Sequence, residues 1–346
     1  MMLRAALAAV LLVPAATLTG SLPACAGEAP ARVLTVALPR GMIGLDLQRA
    51  VLDPFAATGT PVHTASGPSG ADSLEDAAAQ WDVVAISAAG LEAACAGGKL
   101  EKLDWTALGG RDRQSPPGAS DCGLGAFVAA TALSWDRAKF PGTPTWQDFW
   151  DIAKVPGKRG LERSPRGTLE IALLADGVAP GDVYRLLRTE DGVARAFRKL
   201  DQLAPYIDWW TSGARDAAHL LGSGEVLMSS APVASVVAAN HAGHNFGLQW
   251  AGGLAEAQYW AIPKGAPDLV ASQRFLAFAA DPAHQKLLPE EAGLGGLARG
   301  ANDGLSPEAA ALSPTANPAG LLFIDEGFWR DNGEKLAARF DAWVPR

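Results

Sequence analysis

The segment Trp81–Ser87 (WDVVAIS) is an almost unbroken apolar run closed by a serine. A strand that is apolar on both faces has to be covered on both sides, which is the situation of a parallel strand inside an α/β sheet. The neighbouring pattern agrees. Arg32–Leu38 (RVLTVAL) and Thr60–Thr64 read as strands, and Asp46–Ala57 and Asp72–Gln80 as helices, the second begun by Asp72 and Ser73. A further helix runs from Ala88 to about Gly97. This alternation predicts an α/β fold with an open sheet, whose ligands sit beyond the carboxyl ends of its strands.

Downstream, Gly109–Ser120 is rich in Gly and Pro and reads as a surface loop, followed by a long β-like run, Gly125–Trp135 (GAFVAATALSW). Helices are expected at Trp146–Ile152, Thr168–Ala175, Gly181–Arg188 and Glu190–Leu203, and a strand at Glu225–Ser230. Ala257–Pro263 is a second candidate for a strand crossing between lobes. Asp268–Leu288 carries a helical pattern with Phe275, Leu276 and Phe278 on its apolar side, and the tail Leu321–Val344 another with Phe340 and Trp343. At 346 residues the chain is long enough for two domains.

The first 26 residues are set aside as an export signal. Met1–Arg4 is a short positive region, Ala5–Ala16 an apolar run, and Ala24-Cys25-Ala26 a small-x-small cleavage site that predicts cleavage after Ala26. Leu22-Pro23-Ala24-Cys25 also resembles a lipobox, in which Cys25 would carry a lipid anchor. Export leaves Cys95 and Cys122, which an oxidising compartment permits to pair as a disulfide; two buried free thiols are the alternative. Two cysteines cannot build a structural zinc site. The balance of 29 basic and 37 acidic residues, 29 − 37 = −8, disfavours nucleic acid and anionic lipid as partners. No nucleophile elbow, P-loop or dinucleotide-binding glycine signature is present, so nothing points to an enzyme or to a cofactor. His241 and His244 form the one close histidine pair; a glycine-containing turn separates them with no cysteine or carboxylate nearby, so a solvated loop is expected and no metal.

Trp146–Leu161 (WQDFWDIAKVPGKRGL), Gly167–Gly177 (GTLEIALLADG) and Trp209–Ala214 (WWTSGA) resemble the substrate-binding components of ABC importers, specifically the spermidine/putrescine-binding family. Asp82–Ser87 (DVVAIS), Gly224–Met228 (GEVLM) and Tyr259–Gly265 (YWAIPKG) follow in the family's order. The resemblance implies a two-lobe periplasmic-binding-protein fold of type II, with lobes joined by crossing strands and closing over a ligand in the cleft. Residues 27–128 with 262–302 would form lobe I, and 129–261 with 303–346 lobe II. It implies a periplasmic, monomeric protein that captures a small-molecule ligand, a polyamine such as putrescine or spermidine, and delivers it to ABC permease subunits. The alternative is the same fold holding another small polar solute: an amino acid, zwitterion or phosphonate. An exported hydrolase is a third and weaker reading.

A buried ammonium needs carboxylate partners and, along its methylenes, aromatic faces. Ser87 matches the family's ligand-binding serine, although it could equally be a helix N-cap. Glu170 matches the amine-binding glutamate, with a solvated first-turn acid as the plain alternative. Alternation along the strand places Glu256, Gln258 and Trp260 on one face; Gln258 stands where the family carries an aspartate, and Glu256 would supply the missing charge. Trp210, with Trp209, is a candidate stacking wall, although adjacent tryptophans more often divide between core and surface. Three departures argue for a shifted ligand. Pro232 replaces an aromatic, Pro39-Arg40-Gly41-Met42 has no ring, and Arg330 replaces a neutral amide. Arg40 or Arg330 would suit a carboxylate or phosphate.

Overall fold

The structure is a computed structural model that describes residues 32–39, 42–67, 74, 80–211 and 215–344. The export segment with Cys25, Arg40, and the helix expected over Asp72–Gln80, apart from Leu74 and Gln80, lie outside the described residues.

Among those residues one sheet holds nine strands: β1 (Leu34–Leu38), β2 (Val62–Ser66), β3 (Val83–Ser87), β4 (Gly123–Asp136), β5 (Arg159–Glu162), β6 (Ile207–Trp210), β7 (Met228–Pro232), β8 (Phe246–Ala261) and β9 (Leu322–Phe323). Their order is β2-β1-β3-β8-β4-β7-β5-β6, with β9 beside β8. β1 runs parallel to β2 and β3, and β5 runs parallel to β6 and β7. These two parallel groups are joined through β4 and β8, which are antiparallel to each other, to β7 and to β3 respectively.

The cores follow the same division. Phe55, Leu124, Phe127, Trp260 and Phe275 belong to one apolar cluster, and Leu133, Trp135, Phe149, Leu169, Leu254 and Phe340 to another. Each of the long strands therefore feeds one core with one end and the second core with the other. That makes a two-lobe α/β protein whose lobes share a continuous strand pair.

Several elements differ from their sequence pattern, for local reasons. The second crossing strand begins at Phe246, not Ala257, because a register jump opposite Thr131/Leu133 and a left-handed Gly252 (φ 76) interrupt the alternation. The long helix expected from Asp268 divides into Leu269–Ala279, a 3-10 turn at Pro282–Gln285 and Leu288–Ala292. Pro282 and Pro289 each start a new segment, since a proline has no N–H to continue the helix before it. β5 and β6 have no apolar alternation to reveal them; β5 is four residues long and opens on Arg159 and Gly160.

Arg159 is fully buried. Its Nε donates to the Phe149 carbonyl at 2.7 Å, Nη1 to Gly157 at 2.7 Å and Nη2 to Val155 at 2.5 Å. These bonds tie the loop before β5 to the Trp146–Trp150 helix, and burial brings the guanidinium pKa down to about 10. Cys95 and Cys122 are joined as a disulfide across a sequence separation of 27, clamping the Ala88–Ala96 helix to the segment entering β4.

Replacing Arg159 by Met would leave the buried carbonyls of Phe149 and Val155 without donors. At about 1–3 kcal/mol each, chemical denaturation should show a loss of about 2 kcal/mol or more. A loop of the disulfide's size contributes about 3–4 kcal/mol in the chain-entropy model, so the double variant Cys95→Ala/Cys122→Ala should lose that much in the same assay.

Candidate functional site

A cleft of about 230 Å³ opens where β4, the carboxyl ends of β5 and β7, and β8 converge. Its walls include Thr131, Glu162, Arg166, Ser230, Pro232 and Glu256. At roughly 30 Å³ per water, this is room for a small solute rather than a chain of residues. The position beyond parallel strand ends is the one an α/β sheet predicts.

The backbone that builds this wall is unusual. The Pro165–Ala175 helix is not regular at its start: Arg166 is extended (φ −66, ψ 128) and Gly167 is left-handed (φ 84). Only a glycine takes that conformation without strain, and the result is a kink that turns Arg166 out of the helix and into the cleft.

Arg166 there meets two carboxylates. Its Nη1 and Nη2 donate to Glu326 at 2.9 and 2.6 Å, and Nη2 lies 3.1 Å from Glu256. Burial works against the charge of Arg166, but bonding to Glu326 and the charge of Glu256 outweigh it and hold its pKa above the usual value. Glu162 stands on the same wall without a hydrogen bond to Arg166. Burial raises its pKa, the charge of Glu256 raises it further, and Arg166 only partly opposes them.

The expected residues fall into two groups. Gln258 is two residues along β8 from Glu256 and sits directly opposite Ser87 on β3, so Ser87, Gln258 and Glu256 form a continuous row leading to the cleft. Ser87 also N-caps the Ala88–Ala96 helix, accepting from Gly90 N–H at 3.2 Å. Pro232, which stands where the family carries an aromatic, lines the cleft.

Glu170 and Trp210 lie elsewhere. Glu170 is fully buried; its Oε1 accepts from Tyr184 Oη at 2.8 Å and Trp329 Nε1 at 2.6 Å, and its Oε2 from Gly167 N–H at 2.9 Å. Burial raises its pKa against the pull of these donors. Trp210 packs with Leu220, Leu221 and Phe246, and its Nε1 has no partner among the described residues. Trp209 packs edge-on against Phe340 and Trp343, so the tryptophan pair divides between two apolar clusters. Arg330 is half-exposed and pairs with Asp331 at 3.0 Å and Glu92 at 3.3 Å. His241 and His244 are exposed, and among the described residues no cluster of His, Cys, Asp and Glu could hold a metal.

Arg166, Glu162 and Glu326 were not singled out by their sequence. The signal available for Arg166 was its bracketing by Pro165 and Gly167 ahead of a helix; Glu326 had none, because it reaches the cleft from 160 residues away.

Residues 62–315 match the family described as bacterial extracellular solute-binding protein. The chain belongs to this family. The solute-binding protein is 36% identical, over 93% of its length and 94% of the relative's, to the gamma-aminobutyric acid-binding protein of Pseudomonas aeruginosa. Among solved structures it is similar to an ABC transporter substrate-binding protein from Bradyrhizobium japonicum (31% identity, TM-score 0.78, covering 90% of this chain and 99% of that one). It is also similar to a GABA receptor structure (26% identity, TM-score 0.76, covering 91% and 98%). The fold is thus the two-lobe type II fold of periplasmic binding proteins, and the protein is a solute-binding protein of ABC-transporter type, not an enzyme. These relatives support the resemblance at the level of the wider family and do not single out its spermidine/putrescine branch.

The site electrostatics make a specific expectation. Glu162 should titrate above an ordinary glutamate, and Glu256→Gln should bring its pKa down, because the variant removes a neighbouring negative charge and leaves Arg166. Carboxyl carbon NMR across a pH titration measures both; an unmoved Glu162 would mean that the two carboxylates do not interact.

Proposed function

We propose that this protein is the exported binding component for a small zwitterionic amine, an ω-amino acid of the size of γ-aminobutyrate. The carrying observation is the guanidinium of Arg166 held between Glu256 and Glu326 in the cleft. A cleft that must accept charged ligands cannot leave its own charges bare, since an unpaired, partly desolvated charge is costly. Arg166 and Glu256 therefore satisfy one another. A zwitterion substitutes for each of them: its carboxylate takes the edge of Arg166 that faces Glu256, and its ammonium takes Glu256, with Glu162 close by. Gln258 and Ser87 extend the row with neutral hydrogen-bonding groups. Glu170 and Trp210 stand behind the wall.

A diamine has no group to offer the released edge of Arg166, which weighs against the polyamine reading. One observation keeps that reading as the second. Three carboxylates (Glu162, Glu256, Glu326) against one guanidinium leave 1 − 3 = −2 when all are ionised, a charge that a doubly cationic ligand would neutralise. The name of the Pseudomonas relative supports the first reading. The lobes are taken as residues 27–128 with 262–302 and 129–261 with 303–346, closing over the ligand about β4 and β8. Export to the periplasm, after cleavage at Ala26 or with a lipid on Cys25, and delivery by a monomer to ABC permease subunits complete the reading. Among the described residues no helix is long and apolar enough to cross a membrane.

Calorimetry with γ-aminobutyrate, putrescine and spermidine tests the choice of ligand. Micromolar or tighter binding of γ-aminobutyrate alone is expected; binding of the polyamines alone would reverse the assignment. Glu256→Gln should weaken γ-aminobutyrate by about 1.5–3 kcal/mol, the value of a charge-assisted bond. Arg166→Gln should weaken it by at least as much, while leaving any residual affinity for putrescine unchanged or improved.

A further inference from the structure

Besides its own backbone N–H, three donors converge on the Glu170 carboxylate from three different segments. Gly167 N–H comes from the kink, Tyr184 Oη from the Val183–Leu187 helix, and Trp329 Nε1 from the Glu326–Trp343 helix. With the side chain fully buried, no solvent shares these bonds. Two of the three donors belong to the segments that carry the Arg166–Glu326 pair. Gly167 is the residue after Arg166, and Trp329 lies three positions beyond Glu326, on the same face of the first turn of the same helix. One carboxylate thus grips both halves of the pair from behind.

We propose that Glu170 is a positioning residue: its buried carboxylate sets the left-handed turn at Gly167 and the docking of Trp329, and so aims Arg166 at the ligand. The proposal rests on the reading of Arg166 as the carboxylate-binding group. It explains why an acid is required. A carboxylate accepts at both oxygens, so Oε1 serves Trp329 and Tyr184 while Oε2 serves Gly167. An amide of the same shape accepts on one side only, and whichever way it turns, an N–H faces another N–H.

Side-chain ¹⁵N relaxation of the arginine Nε groups tests this in the ligand-free protein. Arg159 is the internal control, since it is fully buried and held by carbonyls that do not touch Glu170. The Arg166 order parameter should be near about 0.8 in the native protein and fall below about 0.6 in Glu170→Gln, while Arg159 stays rigid. Trp329→Phe, which removes one donor but keeps an aromatic ring, should move Arg166 in the same direction by less. A γ-aminobutyrate titration of Glu170→Gln should show at least a ten-fold loss of affinity. An Arg166 that stays rigid in both variants would overturn the proposal, and so would parallel loosening of Arg159, which would make Glu170 a general support of the lobe. Failure of the native protein to bind γ-aminobutyrate would overturn the ligand assignment instead, and leaves the relaxation result to be judged on its own.

Discussion

A guanidinium placed where water is scarce has to be met by acids, and much of the site is arranged around that requirement. Arg166 is brought into the cleft by a kink, and Glu326 arrives from the carboxyl-terminal helix to take two of its hydrogen bonds. Glu256 on β8 takes a third position. Glu162, on the same wall, has its pKa raised first by burial and then by the neighbouring charge of Glu256. The site is therefore built from compensating charges rather than from a single sign.

The scaffold makes this arrangement possible by passing two strands through both lobes. β4 and β8 each contribute to two hydrophobic cores and join them, and the cleft's apolar wall residues Ile171, Leu254 and Ile324 belong to the second of these cores. Residues near the middle of β8, Glu256 and Gln258, lie at this junction, and Gln258 faces Ser87 on the neighbouring strand. Motion of one lobe against the other would bend these strands near the row of polar side chains.

Much of the fold was legible. WDVVAIS is a strand over Val83–Ser87, and the long run GAFVAATALSW lies within β4, because continuous apolar composition survives any tertiary context. The pairing of Cys95 with Cys122 was legible from their number and from export. β5 was not, because its stability comes from parallel neighbours and from the bonds of Arg159 to carbonyls outside it, neither of which leaves a periodic trace. At the site, alternation along β8 put Glu256 and Gln258 on one face. Arg166 went unread because a helical pattern from Thr168 onward says nothing of the turn before it.

Strand and helix patterning determined by itself an α/β fold with an open sheet, because local periodicity and short-range backbone preference are enough for that; the two lobes and the solute-binding role were implied by the resemblance of the motifs to substrate-binding components of ABC importers. Only the tertiary structure decided which charges share the cleft. Glu326 and Arg166 are 160 residues apart, and Glu170, which in sequence is simply an acid in a first helical turn, is enclosed by Tyr184 and Trp329 once the helices pack. Whether a carboxylate faces a ligand or supports the residue that does is a matter of burial and of which donors surround it. Both are set by long-range packing, to which sequence spacing is blind.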